Sequence, residues 1–265
     1  MVGLFKRDYL QLTQEEENER KRIDSEGRNV SGAPFGRKNM FHKYPKAVRH
    51  NMTLFPNNYL DTLELKEVDK LEEQCNGFEE VLENKNTTEL DIKRYIQNNG
   101  FYHIPASIFK AFNFGHHEAV LFKEFQLGTS YKADYLLVGR ASGGWQFIWV
   151  EFENPYNNIA RVDGTFGETI RKGINQIDEW KRFLESNYAT VSAEFEKATN
   201  KPLPNEFVRY DSTRMHYVVI AGRRNDFSND LRTNQRCLYV EKRISLFHYD
   251  NLLDFARGLI NCKTY

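Results

Sequence analysis

The stretch WQFIWVEFENP (residues 145–155) places two acidic side chains, Glu151 and Glu153, in a run that otherwise has the composition of a buried β-strand. Aromatic and branched residues favour strands, and the FIW segment before Glu151 shows no polar alternation. Such a run is typical of a strand that is covered on both faces. Because side chains alternate across a strand, Glu151 and Glu153 are predicted to leave one face while Val150 and Phe152 leave the other.

A third acid, Asp134, lies in the preceding predicted strand, YKADYLLVG (131–139), and GRASGG (139–144) is short enough to join the two strands as a hairpin. The hairpin would bring Asp134 beside the two glutamates. Carboxylates held together away from water repel one another and have raised pKa values. A divalent cation relieves that repulsion, and Mg²⁺ prefers hard oxygen ligands. We therefore predict a Mg²⁺ site here; an edge strand whose polar face meets water is the alternative that spacing leaves open.

The chain around these strands alternates helical and strand patterns. NTTELDIKRYIQNNG (86–100) has helix start and stop signals, and apolar residues recur with a helical period from Phe166 to about Ser186. Further strands are predicted at EAVLFKEFQLG (118–128) and MHYVVIAG (215–222), and RISLFHYDNLLDFARGLI (243–260) reads as a strand, a turn and a final helix. Residues 194–214 suit a connection. The order α-β-β-β-α-β predicts an α/β fold with a mixed sheet flanked by helices.

Residues 1–85 differ in composition and are predicted to form a variable N-terminal region ahead of a domain at 86–265. QEEENERKRIDSEGRN (14–29) is densely charged and is either a solvated helix or mobile. LDTLELKEVDKLEEQCNGFEEVLE (60–83) has helix-like spacing that is expected to break near Gly77.

A basic stretch, GRKNMFHKYPKAVRHN (36–51), contains no acid and interleaves two aromatic residues with its cations, Arg37, Lys38, Lys43, Lys46 and Arg49. Such a stretch can hold a phosphate backbone and stack on a base, so Lys43 and Lys46 are candidate nucleic-acid contacts. An exposed, solubilising loop is the equally weighted alternative. HHE at 116–118 has no third ligand at suitable spacing and is assigned no role.

Composition sets few limits on function. The 37 basic side chains balance the 37 acidic ones, so net charge neither favours nor excludes a nucleic-acid partner. The three cysteines are widely separated and fit no zinc spacing. With no apolar run of membrane-spanning length and no signal-peptide pattern, we expect a cytoplasmic protein without membrane contact.

The order and spacing of these motifs resemble the PD-(D/E)xK nuclease core, and the full set resembles the Shedu anti-phage nuclease family, which carries the DUF4263 domain. The resemblance runs from about Thr87 to the C-terminus, and the first 85 residues fall outside it. It is carried by TELDIKRYIQNNG (88–100), KADYLLVG (132–139), WVEFENP (149–155), QIDEW (176–180), VVIAGR (218–223) and YDNLLDFARGLI (249–260).

The resemblance implies a restriction-endonuclease-like core and roles for particular residues. Asp134 and Glu151 would hold Mg²⁺, for which Mn²⁺ can substitute, together with the backbone carbonyl of Phe152. Gln176 would orient water or phosphate, and Glu89 would be the acidic helix residue near the site. A satisfied polar side chain beside Ile177 is the alternative reading of Gln176.

One position departs from the family pattern, which usually has a lysine where this chain has Glu153. Some restriction endonucleases are similar to this chain in using E-x-E, so Glu153 is predicted to share a metal or to polarise the attacking water. Lys132, on the strand of Asp134, and Lys172, one helical turn before Gln176, are candidates for the missing cation, although each suits a solvated lysine as well.

The resulting expectation is a metal-dependent DNA endonuclease that acts in anti-phage defence as a homo-oligomer, with a phage-derived molecule as its trigger. Arg223 and Arg224, which follow the VVIAG strand, are further candidates for phosphate contact, with plain surface charge as the alternative. A different class also fits the sequence: a nuclease fold that has lost cleavage through Glu153 and only binds nucleic acid or a protein partner.

Overall fold

The computed structural model describes residues 4–26 and 40–265, and a five-stranded mixed sheet lies at its centre. The strands stand in sequence order: β1 (Glu118–Leu127), β2 (Tyr131–Ala141), β3 (Gly144–Phe152), β4 (Met215–Ile220) and β5 (Ile244–Phe247). The first three form an antiparallel meander, whereas β4 and β5 run parallel to β3. Each strand coincides with a predicted one, and the hairpin between β2 and β3 closes at Ala141 and Gly144.

Helices cover both faces of this sheet. They are α1 (Gln14–Glu26), α2 (Lys46–Met52), α3 (Val68–Glu83), α4 (Glu89–Asn99), α5 (His103–Ala106), α6 (Glu168–Glu196), α7 (Asn205–Val208), α8 (Asn229–Lys242) and α9 (Tyr249–Leu259). Helix α4 begins with a capping box between Thr88 and Asp91 and ends at Gly100, which is left-handed with φ 71°. These are the start and stop signals read from the sequence.

Two hydrophobic cores lie on opposite sides of the sheet. The α6 core includes Trp149 of β3 and Trp180 of α6, both fully buried. The α9 core includes Val150 and Phe152 of β3 with residues of α3, α4 and α9. Strand β3 is therefore covered on both faces, as the FIW run predicts, and its even-numbered residues face the α9 core.

The N-terminal region contributes to both cores. Phe55 and Tyr59 belong to the α6 core, and Leu60 and Leu65 belong to the α9 core. The charged segment at 14–26 forms helix α1, with Ile23 buried. Helix α3 ends before residue 85 and α4 begins after it, so the proposed boundary falls in a loop, and the division into two regions stays a prediction.

Three helices differ from the sequence-based expectation. Helix α3 continues through Gly77 instead of breaking there. A Cβ at this position would lie 2.5 Å from Tyr95 Oη, so the absence of a side chain lets α4 pack closely against α3. Helix α6 extends to Glu196, past non-helical backbone at Asn187. Helix α8 was not predicted, since it buries only Leu231 and Leu238 and has little apolar periodicity.

Within residues 4–26 and 40–265, none of the helices combines the length and the apolar character needed to cross a membrane.

Candidate active site

The three acids of the predicted site meet where β3 ends. Asp134, Glu151 and Glu153 are 6%, 4% and 2% exposed, so all three carboxyl groups lie out of water. Asp134 Oδ2 accepts a hydrogen bond of 2.9 Å from the backbone N–H of Phe152, which stands between the two glutamates. The Tyr249 hydroxyl donates to the Glu153 carbonyl at 2.7 Å and fixes the chain just beyond the strand.

An interruption of the sheet frees Asp134 for this contact. The β1–β2 ladder pairs residues on either side of Glu124 and Asp134 but not these two, and Glu124 has a φ of 49°. The β2–β3 ladder starts one residue later, at Tyr135 and Val150. The carboxylate of Asp134 therefore binds a backbone N–H of β3 beyond the end of the regular pairing.

Helix α4 brings a lysine to this group. Lys93 Nζ lies 2.8 Å from Asp134 Oδ1 and 2.7 Å from Glu89 Oε1, one helical turn back. Burial would lower the pKa of Lys93, but Asp134 and Glu89 together raise it. Lys93 is therefore a charged ammonium bridging the predicted metal ligand and the acidic helix residue.

Helix α6 supplies a second lysine from the other side. Lys172 Nζ lies 2.8 Å from Glu153 Oε2 and 3.8 Å from Glu89 Oε2. Lys172 is one of the two lysines that the sequence offered in place of the family cation. Glu89, which the sequence placed near the site only by resemblance, stands between Lys93 and Lys172.

Two carboxylate oxygens remain without a partner. Glu151 Oε2 and Glu153 Oε1 are buried and accept no hydrogen bond from the described residues. Burial, reinforced by Asp134 and Glu153, raises the pKa of Glu151 to about 10. Burial raises the pKa of Glu153 to about 7 against the opposing effect of Lys172, and burial also raises the pKa of Asp134 despite Lys93. Unpaired buried acids of this kind are unfavourable unless a proton or a cation neutralises them.

The donor set suits a hard divalent cation, although it is not a closed cage. No three His, Cys, Asp or Glu side chains in the described part of the chain are already grouped as a metal site. Asp134 Oδ1 is taken by Lys93 and Glu153 Oε2 by Lys172. The unpaired oxygens of Glu151 and Glu153 are the free ligands, and carboxylate oxygens of this kind are what Mg²⁺ and Mn²⁺ accept.

Lys132 and Gln176, the other two predicted catalytic residues, form no ion pair or hydrogen bond with the three acids among the described residues. Lys132 pairs with Glu124 at 2.9 Å on the exposed side of β2, away from the three acids. The local interruption of the ladder changes which face successive side chains of β2 take, so the two-residue spacing from Asp134 does not bring Lys132 to the acids. Gln176 is half-buried on α6, one turn beyond Lys172, and lines an open groove of about 420 Å³.

The arginines and lysines predicted to bind nucleic acid lie elsewhere. Arg223 is held by Asp250, Glu83 and the Leu82 carbonyl. Arg224 pairs with Asp254 on the surface.

Of the basic N-terminal stretch, Lys43 is exposed and Lys46 pairs with Glu64. Arg37 and Lys38 lie outside the described residues. Arg49 is buried against Asp61, so it holds the fold together instead of facing a phosphate. The roles of Lys43 and Lys46 stay predictions.

Lys93 is the residue of this group that sequence analysis missed. Its spacing from Glu89 is the i, i+4 arrangement in which a glutamate and a lysine pair on one helix face. That spacing indicates an ion pair but gives no sign of the contact with Asp134, 41 residues away in the chain.

Gly173 lets α6 approach the acids. A Cβ at this position would lie 2.7 Å from Val219 Cγ1 and 3.1 Å from Glu153 Cγ. Val219 is buried and branched, so it cannot move aside easily. We expect Gly173→Ala to lower the free energy of unfolding by about 1–3 kcal/mol through overpacking, measured by urea denaturation.

Gly258→Ala is the matched control for this substitution. A Cβ at Gly258 in α9 would meet only Lys110 Cε at 3.7 Å, an ordinary contact. Replacing this helical glycine should raise stability by up to about 1 kcal/mol. Equal gains from both alanines would contradict the close approach at Gly173.

Comparison with known proteins agrees with the region identified by sequence. The family model described as Shedu protein SduA, C-terminal, matches residues 86–253, which include all three acids and both lysines. No curated protein matches the chain.

Proposed function

The chain belongs to the Shedu SduA family, and from that premise we propose that it is a Mg²⁺-dependent endonuclease that hydrolyses DNA in anti-phage defence. The observation that carries the proposal is the burial of three carboxyl groups at the end of β3, two of them with an unpaired oxygen. Most buried polar atoms in proteins have a hydrogen-bond partner, so two unpaired carboxylate oxygens in one group indicate a place where a cation can bind. Sites that bind cations keep such oxygens available.

The PD-(D/E)xK fold is part of this proposal. The five-stranded mixed sheet with helices on both faces is compatible with it, and Asp134 and Glu151 lie on adjacent strands as that fold would require. The usual lysine is replaced by Glu153, but Lys172 on α6 holds an ammonium 2.8 Å from that carboxylate. Lys172 of helix α6 thus places a positive charge near the position where the family pattern has a strand lysine.

The proposed reaction is the attack of water on a phosphodiester. A divalent ion would be held by Glu151, the Phe152 carbonyl and Asp134, whose Oδ1 would exchange Lys93 for the ion. It would supply positive charge for the phosphate oxygens and make water more acidic. Glu153, with a pKa of about 7, is suited to accept the proton of the attacking water near neutral pH. Lys172 keeps Glu153 in place, and Gln176, one turn further along α6, would orient the phosphate.

The remaining assignments follow from family membership and stay proposals. We place the enzyme in the cytoplasm as a homo-oligomer that acts on DNA, with a phage-derived molecule as its trigger. Residues 1–85 would form the variable region and 86–265 the nuclease domain.

The decisive experiment is a plasmid assay with the full-length protein in Mg²⁺, Mn²⁺ or EDTA. Nicking or cleavage that needs a divalent ion supports the enzyme. The second candidate, a binding protein, is favoured by the lysine pairs that already neutralise part of the acidic group. It predicts a gel shift of DNA without cleavage in every metal tested.

Binding of Mg²⁺ should depend on pH. Carboxylates must lose their protons to bind a metal, and in the metal-free site Glu153 does so near pH 7 and Glu151 near pH 10. Without metal, a carboxyl pKa raised on folding stabilises at low pH, and that stabilisation is lost as pH rises from the unfolded value through pH 7. We expect the rise in Tm caused by Mg²⁺ to increase between about pH 6 and pH 8, measured by differential scanning fluorimetry. A pH-independent rise would contradict the deprotonation of this acidic group on metal binding.

A further inference from the structure

The chain that leaves β3 at Glu153 is held by β4, by the turn after β4 and by α9. The backbone N–H of Glu153 donates to the carbonyl of Ile220, the last residue of β4, at 2.8 Å. The Gly222 N–H donates to the Asn154 carbonyl at 3.2 Å, and Gly222 has a left-handed φ of 74°. Together with the bond from the Tyr249 hydroxyl to the Glu153 carbonyl, these contacts fix the main chain beside the proposed metal site.

Arg223 holds the same segment further along. Its Nη1 donates to the Tyr156 hydroxyl at 2.7 Å, three residues beyond Glu153. The Tyr156 hydroxyl in turn donates to the Leu82 carbonyl, which also accepts from Arg223 Nη1. The turn between Glu153 and Tyr156 is closed by Asn154 Oδ1, which accepts from the Tyr156 N–H at 2.9 Å. The position of the guanidinium therefore determines where the segment from Glu153 to Tyr156 lies.

The guanidinium is itself fixed by carboxylates of two helices. Asp250, in the first turn of α9, accepts from Nη2 at 2.9 Å and from Nε at 3.1 Å, which is a bidentate pair. Glu83, the last residue of α3, accepts from Nη2 at 2.8 Å. The Arg223 side chain is 14% exposed, so water and salt screen these contacts less than those of a surface arginine. Bidentate geometry sets the direction of a planar guanidinium.

In the described chain, every N–H donor of the Arg223 guanidinium has an acceptor. Nη1 uses both of its hydrogens, on Leu82 and Tyr156, while Nη2 and Nε use theirs on Glu83 and Asp250. A guanidinium has five such donors, so none is left for a phosphate. This arrangement favours a role in holding the chain over a direct contact with nucleic acid.

We propose that Arg223 is a positioning residue of the nuclease site: through Tyr156 it holds the segment that follows β3, and with it the carboxyl group of Glu153. The inference rests on the proposed function, because Glu153 is the proposed proton acceptor. Displacement of a reacting group by about 1 Å can cost about 10²-fold in rate. Since Leu82 and Glu83 precede the family-matched residues 86–253, the N-terminal region supports the site from outside that match.

Steady-state cleavage of plasmid in Mg²⁺ by the full-length protein tests the role of Arg223. Arg223→Met should lower kcat by about 10–10²-fold, and Tyr156→Phe, which removes only the shared hydroxyl, by about threefold to tenfold. KM for DNA should stay within about twofold, since neither side chain is proposed to touch the substrate. A raised KM with unchanged kcat would indicate contact with DNA and would overturn the proposal.

Arg257→Met is the matched control for Arg223→Met. Arg257 also joins α9 to α3, through Glu79 and Asn76, but it is 41% exposed and makes no contact with Tyr156 in the described chain. Its kcat should stay within about twofold of wild type. Tyr239→Phe, at a 57% exposed position on α8, is the control for Tyr156→Phe. An equal loss of kcat in Arg257→Met would mean that tying the two helices together is sufficient, which contradicts a specific role of Arg223.

The double variant tests whether the two side chains act through one contact. Its loss of kcat should be smaller than the product of the two single losses, because both substitutions remove the same hydrogen bond. A loss equal to the product would contradict the pathway through Tyr156. Tyr156→Phe keeps the ring, so the proposal can still be refuted if Arg223→Met fails to fold.

Hydrogen–deuterium exchange in EDTA gives a readout that needs no cleavage. Amides of residues 151–158 should exchange faster in Tyr156→Phe and in folded Arg223→Met, whereas those of residues 132–139 in β2 should be unchanged. Wild-type protein that does not cleave DNA would end the proposed function, and the exchange result would still be readable. Unchanged exchange at 151–158 in both variants would end the present inference and leave the proposed function standing.

Discussion

Glu151→Gln is expected to reduce Mg²⁺-dependent cleavage of plasmid by about 10²–10³-fold, because it removes a carboxylate oxygen from the proposed metal site. The same change should leave the fold intact. Without metal, Glu151 has a pKa of about 10 and is protonated at neutral pH, so glutamine closely matches the shape and charge already present. Loss of cleavage with an unchanged or raised Tm in EDTA separates chemistry from stability.

The stability of this variant also has an expected pH dependence. In the wild-type protein the raised pKa of Glu151 means that stability falls as pH increases from the unfolded value towards 10. Glutamine cannot ionise, so Glu151→Gln should lose this part of the decline. Urea denaturation in EDTA at several pH values measures it.

Glu124→Gln provides the control, since Glu124 is about half exposed on β1 and its ion pair in the described chain is with Lys132, at the surface. It should change cleavage less than about twofold and stability by less than about 0.5 kcal/mol. Retention of full cleavage by Glu151→Gln would refute the proposed metal site.

Lys93→Met is expected to lower the free energy of unfolding in EDTA by about 3 kcal/mol. It removes the ammonium that pairs with Asp134, whose side chain is 8% exposed, and with Glu89. Breaking one side of a buried pair leaves an uncompensated charge. The loss should become smaller at acidic pH, where Asp134 takes up a proton, and Mg²⁺ should restore part of it by replacing the missing cation.

Lys132→Met is the matched control for this experiment. Lys132 is 44% exposed, and its partner Glu124 is 49% exposed, so the pair contributes little in water. We expect a change of less than about 0.5 kcal/mol and no effect of Mg²⁺ on it. Equal destabilisation by the two substitutions, or a Lys93→Met loss insensitive to Mg²⁺, would contradict the role of Lys93 as the cation that neutralises Asp134.

The sequence predicts the sheet well because its strands carry strong local signals. The apolar runs around Ile148 and Val218 mark strands that are buried on both faces, and the turn at 139–144 is short enough for a hairpin. The side chains of Glu151 and Glu153 leave one face of β3 and that of Val150 leaves the other, which is a local property of any strand. For this reason the convergence of the acids could be anticipated from residue spacing.

What the sequence leaves open depends on contacts between distant segments. Lys93 reaches Asp134 only because α4 packs beside β2, and no local pattern encodes that placement. Gly77 reads as a helix breaker in isolation, yet the tertiary contact with Tyr95 makes the absence of a side chain an advantage. Lys132 was expected to share a strand face with Asp134. The interruption of the β1–β2 ladder at Asp134 instead leaves Lys132 at the surface, paired with Glu124.

The hydrogen bond from the Phe152 N–H to Asp134 Oδ2 makes the Phe152 amide proton sensitive to binding of a ligand at Asp134. Any ligand that draws the aspartate oxygens away must weaken or lengthen this bond, and the proton on that nitrogen will register the change. In an NMR titration its resonance should therefore move upfield as Mg²⁺ is added, before any substrate is present. The Phe152 amide proton would therefore report occupancy of the proposed site without an introduced label.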